Sequence, residues 1–194
     1  MGAVQHESAG QKRIVDAARH LYATKGFHRT SMAELAAAAD VSVGLIYRLF
    51  TDKNALIKAL VLEDSEAKEA ELRALTDDVT SGRVTIEAGF EHLARHALAK
   101  GDEALSFDIM AEAHRNSDVA DTIATLCLGF RSVVRELACV ANPLLTSEAL
   151  DGAEELVLAF MFGLGHRTLS RPRLSEVETA RITSQMIIAA LKAL

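Results

Sequence analysis

Between residues 30 and 53 the chain gathers hydroxyls, cations and small residues at spacings suited to gripping a phosphate backbone. Ser31-Met32-Ala33-Glu34 has the S-x-x-E form of a capping box. A short helix should start there, with Ser31 accepting from the Glu34 amide while Glu34 reaches back. It runs through Leu35 and the four alanines to Ala39, where Asp40-Val41-Ser42 interrupts it. Ser42 is a good N-cap for a further helix over Val43 to Phe50. Two short helices joined by a tight three-residue turn form a helix-turn-helix, whose second helix fits the major groove of DNA. The residue types agree with that use. Helix starts at Ser31 and Ser42 present unpaired backbone N–H groups to phosphate oxygens. Tyr47 and Arg48 lie on the second helix, Lys53 begins the next, and Gly44 lets the second helix approach a duplex closely. Alanine-rich helix pairs with short turns also occur without binding DNA, so the geometry alone leaves a generic helical pair open.

The elements that must hold this constellation are helical. Ile14, Ala17, Ala18 and Leu21 recur at helical spacing and Gly26 is placed to end that segment. Asp52 caps a fourth helix carrying Leu56, Ile57, Leu60 and Val61, which continues through the charged run Glu63 to Arg73. Five more amphipathic segments follow, divided at Thr80-Ser81-Gly82, Lys100-Gly101-Asp102, Asn116-Ser117-Asp118, Asn142-Pro143 and Arg171-Pro172. Ile123, Leu126, Cys127, Phe130, Val133, Val134 and Leu137 make the clearest stripe. With 33 Ala and 25 Leu against 2 Pro and 11 Gly, the chain is expected to be all-α, with about nine helices. The expected division is a flexible tail over 1–10, a helix-turn-helix domain over 11–58, and a larger helical body over 59–194.

Several classes are excluded by the rest of the composition. A 25% charged fraction beside 49% hydrophobic residues argues against global disorder. No uncharged run reaches the roughly 18 residues of a membrane span, and the N-terminus lacks the basic start and apolar stretch of a signal peptide. Cys127 and Cys139, if on one helix, stand about 18 Å apart, too far to bridge. A reduced, cytoplasmic protein is expected. The net charge of −6 argues against nucleic acid until it is resolved along the chain. Residues 1–60 hold eight Lys and Arg against five Asp and Glu, a net of +3, and residues 61–194 hold 13 against 22, a net of −9.

The stretch from Ile14 to Val61 resembles the N-terminal domain of TetR-family transcriptional regulators. The resemblance is carried by Thr30-Ser31-Met32-Ala33-Glu34-Leu35-Ala36, by Val41-Ser42-Val43-Gly44-Leu45-Ile46-Tyr47, and by Phe50-Thr51-Asp52-Lys53-Asn54-Ala55-Leu56. It covers about a quarter of the chain. It implies an all-helical homodimer with a C-terminal ligand-binding domain, a repressor released from its DNA operator by a small-molecule effector. It also implies that Thr30 and Ser31 meet phosphates, that Ser42, Val43, Gly44 and Leu45 face base edges, that Tyr47 and Arg48 contact backbone or base, and that Lys53 meets a phosphate. Two positions depart from the family pattern. Asp40 stands where Gly is frequent, which is tolerable because Asp enters the left-handed region more readily than most residues. Leu49 stands where His is common, so one usual phosphate contact is absent or moves to Arg48.

In the body, Leu156 to Leu164 is apolar nearly all round, and the last helix adds Ile182, Met186, Ile187, Ala190, Leu191 and Leu194. An isologous dimer through these last two helices would bury them across a two-fold axis; a central core helix is the plainer account. Phe107, Met110 and His114 fall on one helix face, and Phe90, His92, His96, Cys127 and Phe130 come from neighbouring segments. These eight are the candidates to line a pocket for a mid-sized, mostly apolar effector, with core packing as the alternative for each. His92 and His96 have a spacing that can chelate a metal, yet no cysteine cluster supports this and no metal or cofactor is expected. No catalytic triad, phosphate loop or carboxylate pair stands out, so no enzyme is expected. The remaining rival is a helical protein-binding adaptor, which would have no use for Tyr47, Arg48 and Lys53 behind a capped helix-turn-helix.

Overall fold

Caps and breakers set the helix ends. The computed structural model describes residues 2–99 and 102–194, and among these it contains nine α-helices, one 3₁₀ turn and no strand. Helix α1 (Gly2–Lys25) stops at Gly26, whose φ of +87° suits only a residue without a Cβ and whose N–H donates to Tyr22 O at 2.9 Å. The segment 2–10, expected as a tail, instead continues α1; it holds no proline to stop a helix. Helices α2 (Met32–Ala38) and α3 (Val43–Leu49) form the helix-turn-helix, with Asp40 in the turn at φ +51°. Helix α4 (Lys53–Thr80) starts where Asp52 Oδ1 accepts from the Ala55 N–H at 2.9 Å and runs past Arg73.

Thr85 caps α5 (Ile86–Leu98), Asp102 caps α6 (Glu103–Ala113), and Asn116 Oδ1 accepts from two amides at the start of α7 (Ser117–Ala141). The break expected at Lys100-Gly101 lies outside the described residues. Thr146 caps α8 (Ser147–Gly165), a 3₁₀ turn spans Arg167–Ser170, and a second capping box of Ser175 and Glu178 opens α9 (Glu176–Ala193). Cys127 and Cys139 are both free thiols on α7. No described helix is long and apolar enough to cross a membrane.

The helices group into two units. The first combines residues 2–65 with 102–125: α1 to α3, the start of α4, α6 and the start of α7. Its core contains Ile14, Ala18, Tyr22, Leu35, Ile46, Leu56 and Leu60, and it is completed by Leu105 and Val119 from far along the chain. This differs from a boundary at residue 58. Helix α6 belongs with the helix-turn-helix because its Leu105 side chain fills that core. The second unit combines residues 66–99 with 126–194, and α5 packs there against α8 and α9. Gly89 on α5 lies so close to α4 that a Cβ would stand 2.8 Å from Val79 Cγ2.

Candidate nucleic-acid interface

Helix α3 is positioned by one buried residue and one side-chain cap. Ile46 is fully buried in the first unit's core, while the flank of α3 beside it faces outward: Val43 is 46% and Tyr47 56% exposed, with Ser42, Gly44 and Arg48 also exposed. Ser42 Oγ accepts from the Leu45 N–H at 3.1 Å, fixing the first turn of α3. Leu45 is half-buried, with a methyl group 3.5 Å from where a Cβ on Gly10 would stand, so it leans on α1 and offers only part of its side chain outward. The preceding turn is tied to α1 by Arg13, which donates to Asp40 O at 3.2 Å and stands 3.9 Å from the Asp40 carboxylate.

At the start of α2, Ser31 remains exposed within a complete capping box: its N–H donates to Glu34 Oε2 at 2.8 Å, and its Oγ accepts from the Glu34 N–H at 3.2 Å. The Ser31 amide, the Lys25 ammonium and the Ser31 hydroxyl together hold the Glu34 carboxyl down at about 2. Thr30 does not fit its expected role. It is 1% exposed, and its hydroxyl donates to Gly26 O at 3.0 Å, so this side chain closes the α1–α2 loop rather than meeting a phosphate.

Lys53 is also more occupied than expected. Its ammonium donates to Phe27 O at 2.8 Å and sits 4.4 Å from the Phe27 ring centroid, joining the start of α4 to the α1–α2 loop. The same loop is held from α6. Asp108 Oδ2 accepts from the Phe27 N–H at 2.8 Å, and Glu112, 7% exposed, lies 3.1 Å from both His28 Nε2 and an Arg115 nitrogen. Phe27, His28, Tyr47, Thr51 and Lys53 line one open cleft, so the loop and the end of α3 open to the same side. Nothing in the sequence pointed to Asp108 or Glu112. The hydrogen bond from Phe27 to Asp108 spans 81 positions, beyond the reach of any local pattern.

The eight candidate effector residues divide between the units. Phe107, Met110 and His114 are on α6 in the first unit, where Phe107 is 40% exposed and His114 is the exposed C-cap. Phe90, His92, His96, Cys127 and Phe130 belong to the second unit. Of these, Phe90 is fully buried in the core and Phe130 packs against that core, as the packing alternative expects. His92 Nε2 lies 2.8 Å from Glu71 Oε1 on the rim of an open groove. Burial, aided by Lys68, pushes the half-buried His96 below its ordinary value, and burial raises the Cys127 thiol.

Residues 14–60 match the family model of bacterial regulatory proteins, tetR family. The HTH-type transcriptional regulator UidR of Escherichia coli (strain K12) is 35% identical over 108 residues, 56% of this chain and 54% of that protein. The chain thus matches about half the length of this relative. The HTH-type transcriptional repressor Rv1474c of Mycobacterium tuberculosis (strain ATCC 25618 / H37Rv) is 37% identical over 65 residues, 34% of this chain and 35% of that protein. Among solved structures, Salmonella enterica GusR aligns over 94% of this chain and 95% of its own, with a TM-score of 0.69 and 26% identity. The transcriptional regulator FadR from Bacillus subtilis, in complex with stearoyl-CoA, aligns over 92% and 98% with a TM-score of 0.74. At 16% identity that likeness speaks for the fold alone.

Proposed function

We propose that the chain is a TetR-family regulator, a homodimeric repressor released from a palindromic operator by a small, mostly apolar effector. The observation that carries DNA recognition is the set of α3: Ile46 anchored inward, Val43 and Tyr47 outward, and Gly44 leaving the helix surface clear. Ser31 and Arg48 supply polar contacts at its flanks, and Lys53 keeps two ammonium hydrogens beyond the one given to Phe27. Phosphate contacts of this kind position the protein, while Ser42, Val43 and the outward part of Leu45 meet base edges and specify.

The dimer is supported by what one copy leaves uncovered. Leu156 (62%), Phe160 (50%), Met186 (59%) and Leu194 (68%) are exposed on α8 and α9, and all four line one apolar groove. A second copy meeting this face across a two-fold axis would bury it and set two reading helices about one DNA turn, roughly 34 Å, apart. The operator then has matching half-sites at that spacing. For the effector, Phe107, Met110 and His114 of the first unit and, separately, His92, His96 and Cys127 of the second are the candidate contacts.

Selection of bound duplexes from a random library tests the reading. A dyad-symmetric consensus is expected, with Val43→Ala shifting the preferred bases and Lys53→Ala weakening operator and random DNA alike. Recovery of no consensus, together with no retention of any duplex at low salt, would overturn DNA recognition and favour the protein-binding adaptor.

A further inference from the structure

Much of the first unit's positive charge is already paired within the chain, in contacts at its surface. Lys12 and Arg19 each pair with Glu63 at 3.3 Å, Arg13 holds the Asp40 turn, and Lys25 pairs with Glu34 at 2.9 Å. Lys58 faces Asp118 at 3.9 Å, and Lys53 is tied to Phe27. Arg29 differs from all of these. It is exposed and has no ionic or hydrogen-bond partner among the described residues.

Its setting is rigid. Phe27 (5% exposed) and Thr30 (1% exposed) are turned inward on either side of it. Asp108 fixes the Phe27 N–H, Lys53 fixes the Phe27 carbonyl, Glu112 faces His28, and the Thr30 hydroxyl closes back on Gly26 O. A six-residue loop held at so many points has little freedom left, and of the side chains it exposes, His28, Arg29 and Ser31, Arg29 is the cation without an internal partner among the described residues. Phe27 and His28 share their open cleft with Tyr47 at the end of the reading helix, so the loop carrying Arg29 borders the surface that meets DNA.

We infer that Arg29 is a phosphate-binding residue, anchoring the DNA backbone beside the stretch read by α3; the inference rests on the DNA-binding reading above. A guanidinium on a held loop loses little entropy on docking and presents a fork matched to phosphate oxygens. Its unpaired state also removes the cost of breaking an internal ion pair before the duplex can be engaged.

The test is a salt titration of the full-length protein on a random-sequence duplex, followed by fluorescence anisotropy. Each phosphate neutralised contributes about −0.9 to the slope of log K against log salt. Arg29→Ala should make that slope shallower by about 1, weaken low-salt binding several-fold on every sequence tried, and leave the thermal midpoint unchanged. Arg29→Lys should keep most of the slope. A wild-type slope in Arg29→Ala overturns the inference while leaving DNA binding intact, and so does a loss confined to one duplex sequence, which would mean base readout. If the wild-type protein binds no duplex at low salt, the DNA-binding reading falls as well, a result distinct from either.

Discussion

Asp40 holds a left-handed backbone, φ +51°, at the point where the chain reverses between α2 and α3. A side chain in that region costs on the order of 1–2 kcal/mol, less for Asp than for most residues. Arg13 offsets part of this by bonding the Asp40 carbonyl from α1. Asp40→Val, which adds a β-branch where none fits, is expected to lower stability by about 1–2 kcal/mol in urea unfolding, whereas Asp40→Gly should be close to neutral. This departure was readable in advance because it depends on one residue and its own backbone. So were Ser31, Ser42, Asp52 and Gly26, whose partners lie within four positions. Thr30 and Lys53 were not. Their hydroxyl and ammonium look available in the sequence, and only tertiary packing around Phe27 shows them engaged.

At the scale of the helix, the two capping boxes differ from ordinary surface contacts in being sensitive to acid. Glu34 titrates at about 2 in the folded protein and near 4.5 when free. A depressed carboxyl stabilises fully above its unfolded value, and that contribution is lost as pH falls from about 4.5 to about 2. The start of α2 should therefore loosen across that window, with Glu34→Gln less stable at pH 7 but less sensitive to acid; acid titrations of both proteins, followed by circular dichroism, check the sign. Helix contacts also fix Gly89. With Val79 Cγ2 at 2.8 Å from the missing Cβ, and a β-branched neighbour slow to yield, Gly89→Ala is expected to cost about 1–3 kcal/mol. A thermal midpoint equal to that of the wild type would show that α4 and α5 can separate at this crossing without loss. Periodicity located nearly every helix, since each apolar stripe is written along its own segment. It could not show which stripes face each other, and so it left α6 with the body although Leu105 packs among Ile14, Ile46 and Leu56.

For the whole molecule, the net charge of −6 resolves into +3 over residues 1–60 and −9 over residues 61–194. Ion pairing within the first unit then narrows the cations that stand without an internal partner. The apolar face of α8 and α9 belongs to this scale too. Phe160→Glu combined with Met186→Glu places two charges on residues that are 50% and 59% exposed in one chain. Each chain should fold as before, while light scattering should report a monomer and operator affinity should drop by an order of magnitude or more. A dimer that survives both charges would place the two-fold contact elsewhere.

The seat of α6 in the first unit bears on how the parts of this fold can be recombined. Leu105 is 5% exposed and Val119 fully buried, so a fragment ending near residue 60 would leave an opening in its hydrophobic core and strand Phe27 without its carboxylate acceptor. A chimera that grafts this helix-turn-helix unit onto a foreign helical body must bring residues 102–125 with it, or rebuild their inward side on the recipient. The transferable module is a discontinuous one, and the cut that looks natural in the linear chain is the one that would fail.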